Sequence, residues 1–270
     1  MTKTLILTPN LKLNCGMFQL AQDLAKEFDG DIKTKNDLVT TSIFDGNYEK
    51  VITLLYPMHS YGKLAKDIHG NKVKWINYNQ GIPPITKTYF PNFWRRQAMR
   101  YINWRNNATM QGADEVWNVT EREQKPRWTE KAKLRFLQFE DVDLTKPYSI
   151  YIGRTTDYKN YEFLKQTMKE LKIPLIHPIN VSDDLLGEYL SNSKMLVTAS
   201  IWEGFGRPCL EACALNIPVV CYDAGAHKSN MQKYDNKGIC VPLDINNMKK
   251  SEEDFKKGVL EVWNAKRKEV

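Results

Sequence analysis

Hydrophobic positions along the chain keep two rhythms. Short β-branched and leucine-rich runs, Thr4-Leu5-Ile6-Leu7-Thr8, Val51–Leu55, Val73–Asn77 and Glu115–Val119, read as strands. After the break at Pro9-Asn10, Phe18, Leu20, Ala21, Leu24, Ala25 and Phe28 recur at three- and four-residue spacing, which predicts an amphipathic helix following Cys15-Gly16. The aromatic and basic stretch Tyr89–Arg105 reads as partly helical. The second half repeats the alternation more clearly, with strands at Ser149–Ile152, Ile173–Ile176, Lys194–Thr198 and Pro218–Tyr222. Helices are expected between them, over Tyr161–Leu171, Leu185–Leu190 and Pro208–Leu215. Strands alternating with helices imply parallel β-α-β units. The charged, proline-bearing segment Glu140–Pro147 lacks periodicity and marks the expected boundary. The fold class is therefore α/β, with two doubly wound Rossmann-like domains, residues 1–145 and 146–270, facing a central cleft. Ligands of such sheets sit outside the carboxyl ends of the strands, so chemistry is sought in the loops that follow strands.

Composition narrows the partners. Lys and Arg number 39 against 32 Asp and Glu, a net charge of +7. That balance suits an anionic partner without choosing among a phosphate ligand, a nucleic acid and an acidic lipid surface. At 42% hydrophobic and 26% charged, a mainly disordered chain is excluded. No apolar run approaches the ~20 residues of a membrane-spanning helix, and the apolar stretch in Met1–Leu7 is too short for a signal peptide. A cytoplasmic protein, peripheral at a membrane if it meets one, is the expectation. Cys15, Cys209, Cys213, Cys221 and Cys240 form no Cys-x-x-Cys spacing, and buried free thiols are preferred over zinc ligands.

Two loops carry the candidate chemistry. After the Lys194–Thr198 strand comes Glu203-Gly204-Phe205-Gly206-Arg207-Pro208-Cys209-Leu210-Glu211. Its glycines let backbone approach a ligand, Pro208 suits the first turn of a helix, and the free amides of that turn can bind an anion. Glu203 and Glu211 flank this point, and each carboxylate can grip a pair of hydroxyls. The plain alternative is a glycine-rich turn with one surface carboxylate and one favoured by the helix dipole. After the Ser149–Ile152 strand comes Gly153-Arg154-Thr155-Thr156-Asp157-Tyr158-Lys159-Asn160. Arg154 and Lys159 can converge on a diphosphate, one as a fork and one as a point charge; a solvated basic turn is the alternative.

Taken in order, Tyr151-Ile152-Gly153-Arg154 through Lys159-Asn160, then Glu203-Gly204-Phe205-Gly206 through Leu210-Glu211-Ala212, resemble the donor-binding half of a retaining, family-4-type glycosyltransferase. Asn216-Ile217-Pro218-Val219-Val220, Tyr222-Asp223-Ala224-Gly225-Ala226 and Lys237-Gly238-Ile239-Cys240-Val241-Pro242 extend the likeness, with Ala226 in place of a second glycine. The first half matches more loosely, at Gly112–Thr120 and at Cys15-Gly16-Met17, where the family has a glycine-rich loop contacting the donor phosphate. The resemblance implies a glycosyltransferase-B fold, a nucleotide-diphospho-sugar donor, hexosyl transfer with retention, and neither metal nor cofactor. It implies catalytic roles for Glu203, Arg154 and Lys159, and donor contacts from Gly16, Gly204, Phe205, Gly206 and Glu211, the last on ribose hydroxyls. His59 and Gln80 are the acceptor-side candidates, although a lone histidine such as His59 is more often a structural or surface residue. The acceptor itself, whether glycan, glycolipid, protein or nucleic acid, stays open. Asp141-Val142-Asp143 resembles a metal-binding Asp-x-Asp, but its place at the expected boundary favours a structural reading.

Phe93–Arg105 mixes four arginines with aromatic residues. It reads as an interfacial helix for anionic lipid, as a base-stacking groove for nucleic acid, or as a helix packing its aromatics on the sheet with arginines in water. The last reading is preferred. A catalytically inactive sugar-nucleotide- or nucleic-acid-binding module remains the alternative to an enzyme.

Overall fold

A computed structural model describes residues 4–9, 16–34, 37, 48–54, 58–79, 92–118 and 126–265. They fall into two compact units, one holding the described residues up to 118 and the other those from 126 onward.

The first unit comprises β1 (Thr4–Thr8), α1 (Gly16–Phe28), β2 (Gly30–Thr34), β3 (Lys50–Leu54), α2 (Met58–His69), β4 (Lys74–Asn79), α3 (Phe93–Met110) and β5 (Glu115–Asn118). Its sheet runs β2-β1-β3-β4-β5, and every pairing is parallel. All five residues of β1 are buried, because a parallel sheet is covered on both faces and its strands need continuous rather than alternating hydrophobicity. Leu20, Ala21 and Leu24 turn the apolar stripe of α1 inward. Gly62 lets α2 lie directly on Trp75, whose indole nitrogen would stand 2.1 Å from any Cβ added there.

The second unit opens with a hairpin, β6 (Gln138–Phe139) and β7 (Val142–Asp143). It continues with β8 (Ser149–Ile150), α4 (Tyr161–Glu170), β9 (Leu175–Ile176), α5 (Asp183–Asn192), β10 (Met195–Thr198), α6 (Arg207–Ala214), β11 (Val219–Tyr222), α7 (His227–Lys233), β12 (Ile239–Val241) and α8 (Met248–Asn264). The sheet order is β9-β8-β10-β11-β12, again all parallel. The two sheets therefore share one winding, and in each the chain reverses direction between two neighbouring strands: β1 and β3, then β8 and β10. That reversal opens the crevice in which open α/β sheets bind ligands.

The expected boundary at residues 145–146 is corrected to one between 118 and 126. Residues 126–144 belong to the second unit: Leu144 sits in its core, and Trp128, Leu134, Phe139 and Val142 pack against it. Trp128 is seated where Gly187 of α5 leaves room, 2.8 Å from the position of an added Cβ. Polar contacts finish the attachment, Arg135 reaching Glu188 at 2.5 Å and the Ala132 amide reaching Ser191 at 3.0 Å. Asp143 accepts from the Thr145 amide (3.0 Å) and faces Lys146, so the Asp-x-Asp closes a turn. β2, β6, β7, α2, α7 and α8 are additions to the expected elements. Among the described residues no helix is long and apolar enough to cross a membrane.

Candidate active site

The loop after β8 and the loop after β10 lie side by side at the reversal point of the second sheet. A 3-10 turn, Asp157–Lys159, follows β8 and ends on Asn160 at φ 52°; asparagine tolerates that left-handed conformation better than most side chains. The Ile201 amide donates to the Tyr158 carbonyl at 2.9 Å, and the rings of Tyr158 and Trp202 meet edge to face at 5.8 Å. These contacts fix the two loops to each other and bring the Lys159 ammonium onto Glu203 Oε1 as an ion pair in which both side chains are largely shielded from water. Burial alone would push the Glu203 carboxyl up. The charges of Lys159 and His227, with hydrogen bonds from Lys159 and Ser200, outweigh it and hold Glu203 below the usual carboxylate range.

The glycine-rich stretch is pinned from behind by a third loop, which leads from β11 into α7. The Ala226 amide donates to the Gly204 carbonyl (3.1 Å), and the Asn230 amide nitrogen to the Phe205 carbonyl (2.7 Å). Gly225, at φ 58°, lies so close that a Cβ would stand 1.9 Å from the Glu203 carbonyl oxygen. Ala226 has φ −89°, so no second glycine is needed there. Gly206, at φ 70°, precedes α6 and packs on the His227 ring. His227 is buried, its Nδ1 donates to the Tyr222 carbonyl at 3.0 Å, and its Cδ2–Nε2 edge faces Gly206.

Arg154 lies at the rim. Its guanidinium donates to the Tyr158 hydroxyl at 3.1 Å, and its backbone carbonyl accepts from the Tyr151 hydroxyl at 2.6 Å. Buried Tyr151 is raised well above the ordinary phenol value by desolvation and by the charge of Glu203, with Arg154 opposing. Both ions therefore bear on one ring, although Arg154 is not itself paired with Glu203.

Glu211 is buried and paired within the protein. Its carboxylate is 0% exposed, and Arg127 lays a fork across it, Nε to Oε1 at 2.7 Å and a terminal nitrogen to Oε2 at 2.9 Å. The other terminal nitrogen of Arg127 binds Asp183 at 2.7 Å, and the guanidinium stacks 4.2 Å over Trp128. Arg207 approaches Glu211 at 3.6 Å from within α6. Burial works against the Arg127 charge, but the bonds and charges of Glu211 and Asp183 more than restore it. In this structure Glu211 anchors the segment entering the second unit.

In the first unit, Gly16 opens α1 after β1, and His59 lies at the start of α2 after β3, both on the strands that flank the reversal. His59 is 2% exposed, its Nδ1 is 3.2 Å from Thr53 Oγ1, and burial pushes its pKa down to about 4. Trp75 donates to the same hydroxyl at 2.9 Å. Burial thus holds His59 neutral and packed against Thr53. Gln80 and Cys15 lie outside the described residues. Cys209, Cys213 and Cys221 are buried free thiols, and Cys240 is half-buried. Arg127, His227 and Asn230 escaped the sequence reading. Only the placement of His227 and Asn230 one turn apart, just past the glycine loop, offered a signal.

The family described as Glycosyl transferases group 1 matches residues 175–258, which contain the Glu203–Glu211 loop and its α7 support. A serotype-specific mannosyltransferase, WbdA, of Escherichia coli is 38% identical over 55 residues, 20% of this chain and 7% of that protein. The chain thus spans under a tenth of the length of the curated relatives it matches. Among solved structures, sucrose-phosphate synthase from Thermosynechococcus elongatus superposes with TM-score 0.65 at 13% identity, covering 98% of this chain and 95% of that one. The lipopolysaccharide outer core galactosyltransferase WaaB gives 0.55 at 14% identity, covering 97% and 90%. Anabaena HepE in complex with UDP-glucose gives 0.53 at 12%, covering 97% and 94%. The chain has the glycosyltransferase-B fold, and residues 175–258 of its second unit are similar to the group 1 glycosyl transferases.

Proposed function

We propose that the protein is a retaining glycosyltransferase of the family-4 type, moving a hexosyl group from a nucleotide-diphospho-sugar to an acceptor hydroxyl without a metal ion. The observation that carries this reading is the ion pair of Lys159 with Glu203 at the β8/β10 reversal, beside the first turn of α6. Breaking the bond between the anomeric carbon and phosphate leaves an electron pair on the diphosphate and positive character on the sugar. Fixed cations at the phosphate stabilise that separation. Lys159 and Arg154 supply them, together with the amides after Gly206. Glu203, kept ionised, accepts from sugar hydroxyls through charge-assisted hydrogen bonds. The acceptor hydroxyl attacks on the face the diphosphate leaves, and its proton passes to the departing phosphate oxygen. HepE is described in complex with UDP-glucose, which supports a nucleotide-sugar donor for this chain.

The alternative is a binding module without turnover. A panel of sugar nucleotides, followed by release of free nucleotide, decides between them. The wild-type protein should hydrolyse or transfer at least one donor, in the presence of EDTA, and Glu203→Ala should abolish it. Tight donor binding with no release from either protein would establish the module instead.

A further inference from the structure

The α3 helix contradicts the packing expected of it. Its aromatic residues do not lie on the sheet: Trp94 is 77% exposed, Trp104 63%, Tyr101 56% and Phe93 52%. Phe93, Tyr101 and Trp104 fall at four-residue multiples and threes, and Trp94 lies one heptad before Tyr101, so the four rings share one face. Met99, Ile102, Asn103 and Met110, on the other side, are half-buried, and α3 packs against α2 there. The helix thus buries its less aromatic face and presents its rings outward. Arg100 flanks that stripe on one shoulder and Arg105 on the other, the latter 6.0 Å from the Tyr101 ring centroid. Arg95 and Arg96 bring the helix to four arginines, and no aspartate or glutamate occurs between Phe93 and Met110. Neighbouring α2 adds exposed Leu64 and Ile68, one turn apart.

We propose that α3 docks the protein on the surface of an anionic lipid bilayer. Large exposed aromatic rings are unfavourable in water, and at the headgroup level their apolar bodies leave it while their polar edges stay wet. Arginines on the shoulders of the stripe then meet lipid phosphates, each strengthening attachment to a negative surface. A helix lying in the interface plane presents this combination of aromatic and basic positions. The competing partner is single-stranded nucleic acid, which also stacks on aromatics and pairs with arginine. It is disfavoured because base-stacking sites line a groove that tracks the strand, whereas these rings stand on the convex side of one helix. Docking does not depend on glycosyl transfer, and its test uses neither donor nor acceptor.

The full-length protein is sedimented with vesicles of phosphatidylcholine alone and of phosphatidylcholine with phosphatidylglycerol. Binding is expected only to the anionic vesicles, weakening as salt rises, with quenching of tryptophan fluorescence by brominated acyl chains. Arg100→Gln and Arg105→Gln should each lower partitioning about fivefold. Trp94→Ser/Trp104→Ser should abolish the quenching while leaving the circular dichroism unchanged, since both side chains lie outside the core. Equal binding to neutral vesicles, binding to anionic vesicles that these four substitutions leave intact, or loss of binding to an oligonucleotide instead of to vesicles would each overturn the proposal.

Discussion

Arg127 and Glu211, 84 residues apart, form a two-pronged pair whose acidic member has no contact with water. Removing one partner of such a pair leaves an uncompensated buried charge. Arg127→Ala should therefore cost about 3–5 kcal/mol of stability, read from urea unfolding. Arg127→Met/Glu211→Leu, which removes both charges and keeps volume, should regain most of it. A single Arg127→Ala as stable as wild type would mean that Glu211 finds another counter-ion.

Lys159 and Glu203 should matter for turnover more than for folding. Each of Lys159→Met and Glu203→Gln is expected to lower kcat about 100-fold, the size seen when one preorganised stabilising group is removed. Steady-state rates on the donor identified by the panel provide the check, with unfolding curves confirming that both variants fold.

Gly225 and Ala226 offer a paired test of the loop behind the site. Gly225→Ala places a methyl group against the Glu203 carbonyl at a backbone angle that alanine avoids, a penalty of about 1–3 kcal/mol before the clash is counted. Turnover should fall with stability. Ala226→Gly, where φ is negative, should leave activity within about twofold, and its cost should be no more than the small entropic penalty of a glycine.

Acidification should weaken the first unit before the second unit's carboxylates begin to act. His59 has a folded pKa of about 4 against an ordinary 6.5, so between those values the unfolded chain binds the extra proton. Stability then rises with pH across that window and falls as pH drops through it, by about 3 kcal/mol in all. Glu203, held low, contributes only below about pH 4.5. Unfolding midpoints measured from pH 7 to pH 4 should slope downward, and His59→Phe should flatten the slope.

The corrected boundary predicts how fragments behave. A fragment starting at residue 124 keeps Arg127, Trp128 and Arg135 on the second unit, whereas one starting at 146 uncovers their seats. Calorimetry of the two fragments should give a single cooperative transition for the longer one and a lower, broader one for the shorter.

Much of the second unit was legible because its strands are uniformly apolar and its loops punctuated. β10 and β11 are buried at all four positions, and such runs stand out from flanking Gly, Pro and Lys. The meeting of Lys159 with Glu203 followed from the doubly wound order, since both loops leave neighbouring strands at the reversal. Arg127 could not be read in the same way. It lies in a polar stretch without regular structure, and its partners are distant in sequence, so only packing of Trp128 against α5 gives it a role. For α3 the cause is the opposite: residue type alone places its aromatic rings in the interior, and the structure exposes them. Spacing alone, which set the rings opposite Met99 and Ile102, already separated the two faces.

Parallel winding carries a kinetic consequence. Leu5 pairs with Val51, and Ser149 with Met195, so neither sheet can begin as a hairpin zipped between adjacent segments. Each central pairing must wait until an intervening crossover has been synthesised and folded back, which places closure late and makes it slow. During that wait the uncovered ladder edges of β1 and β8 are open to wrong partners. The time a nascent chain spends before Val51 and Met195 emerge is therefore the interval in which its yield is decided.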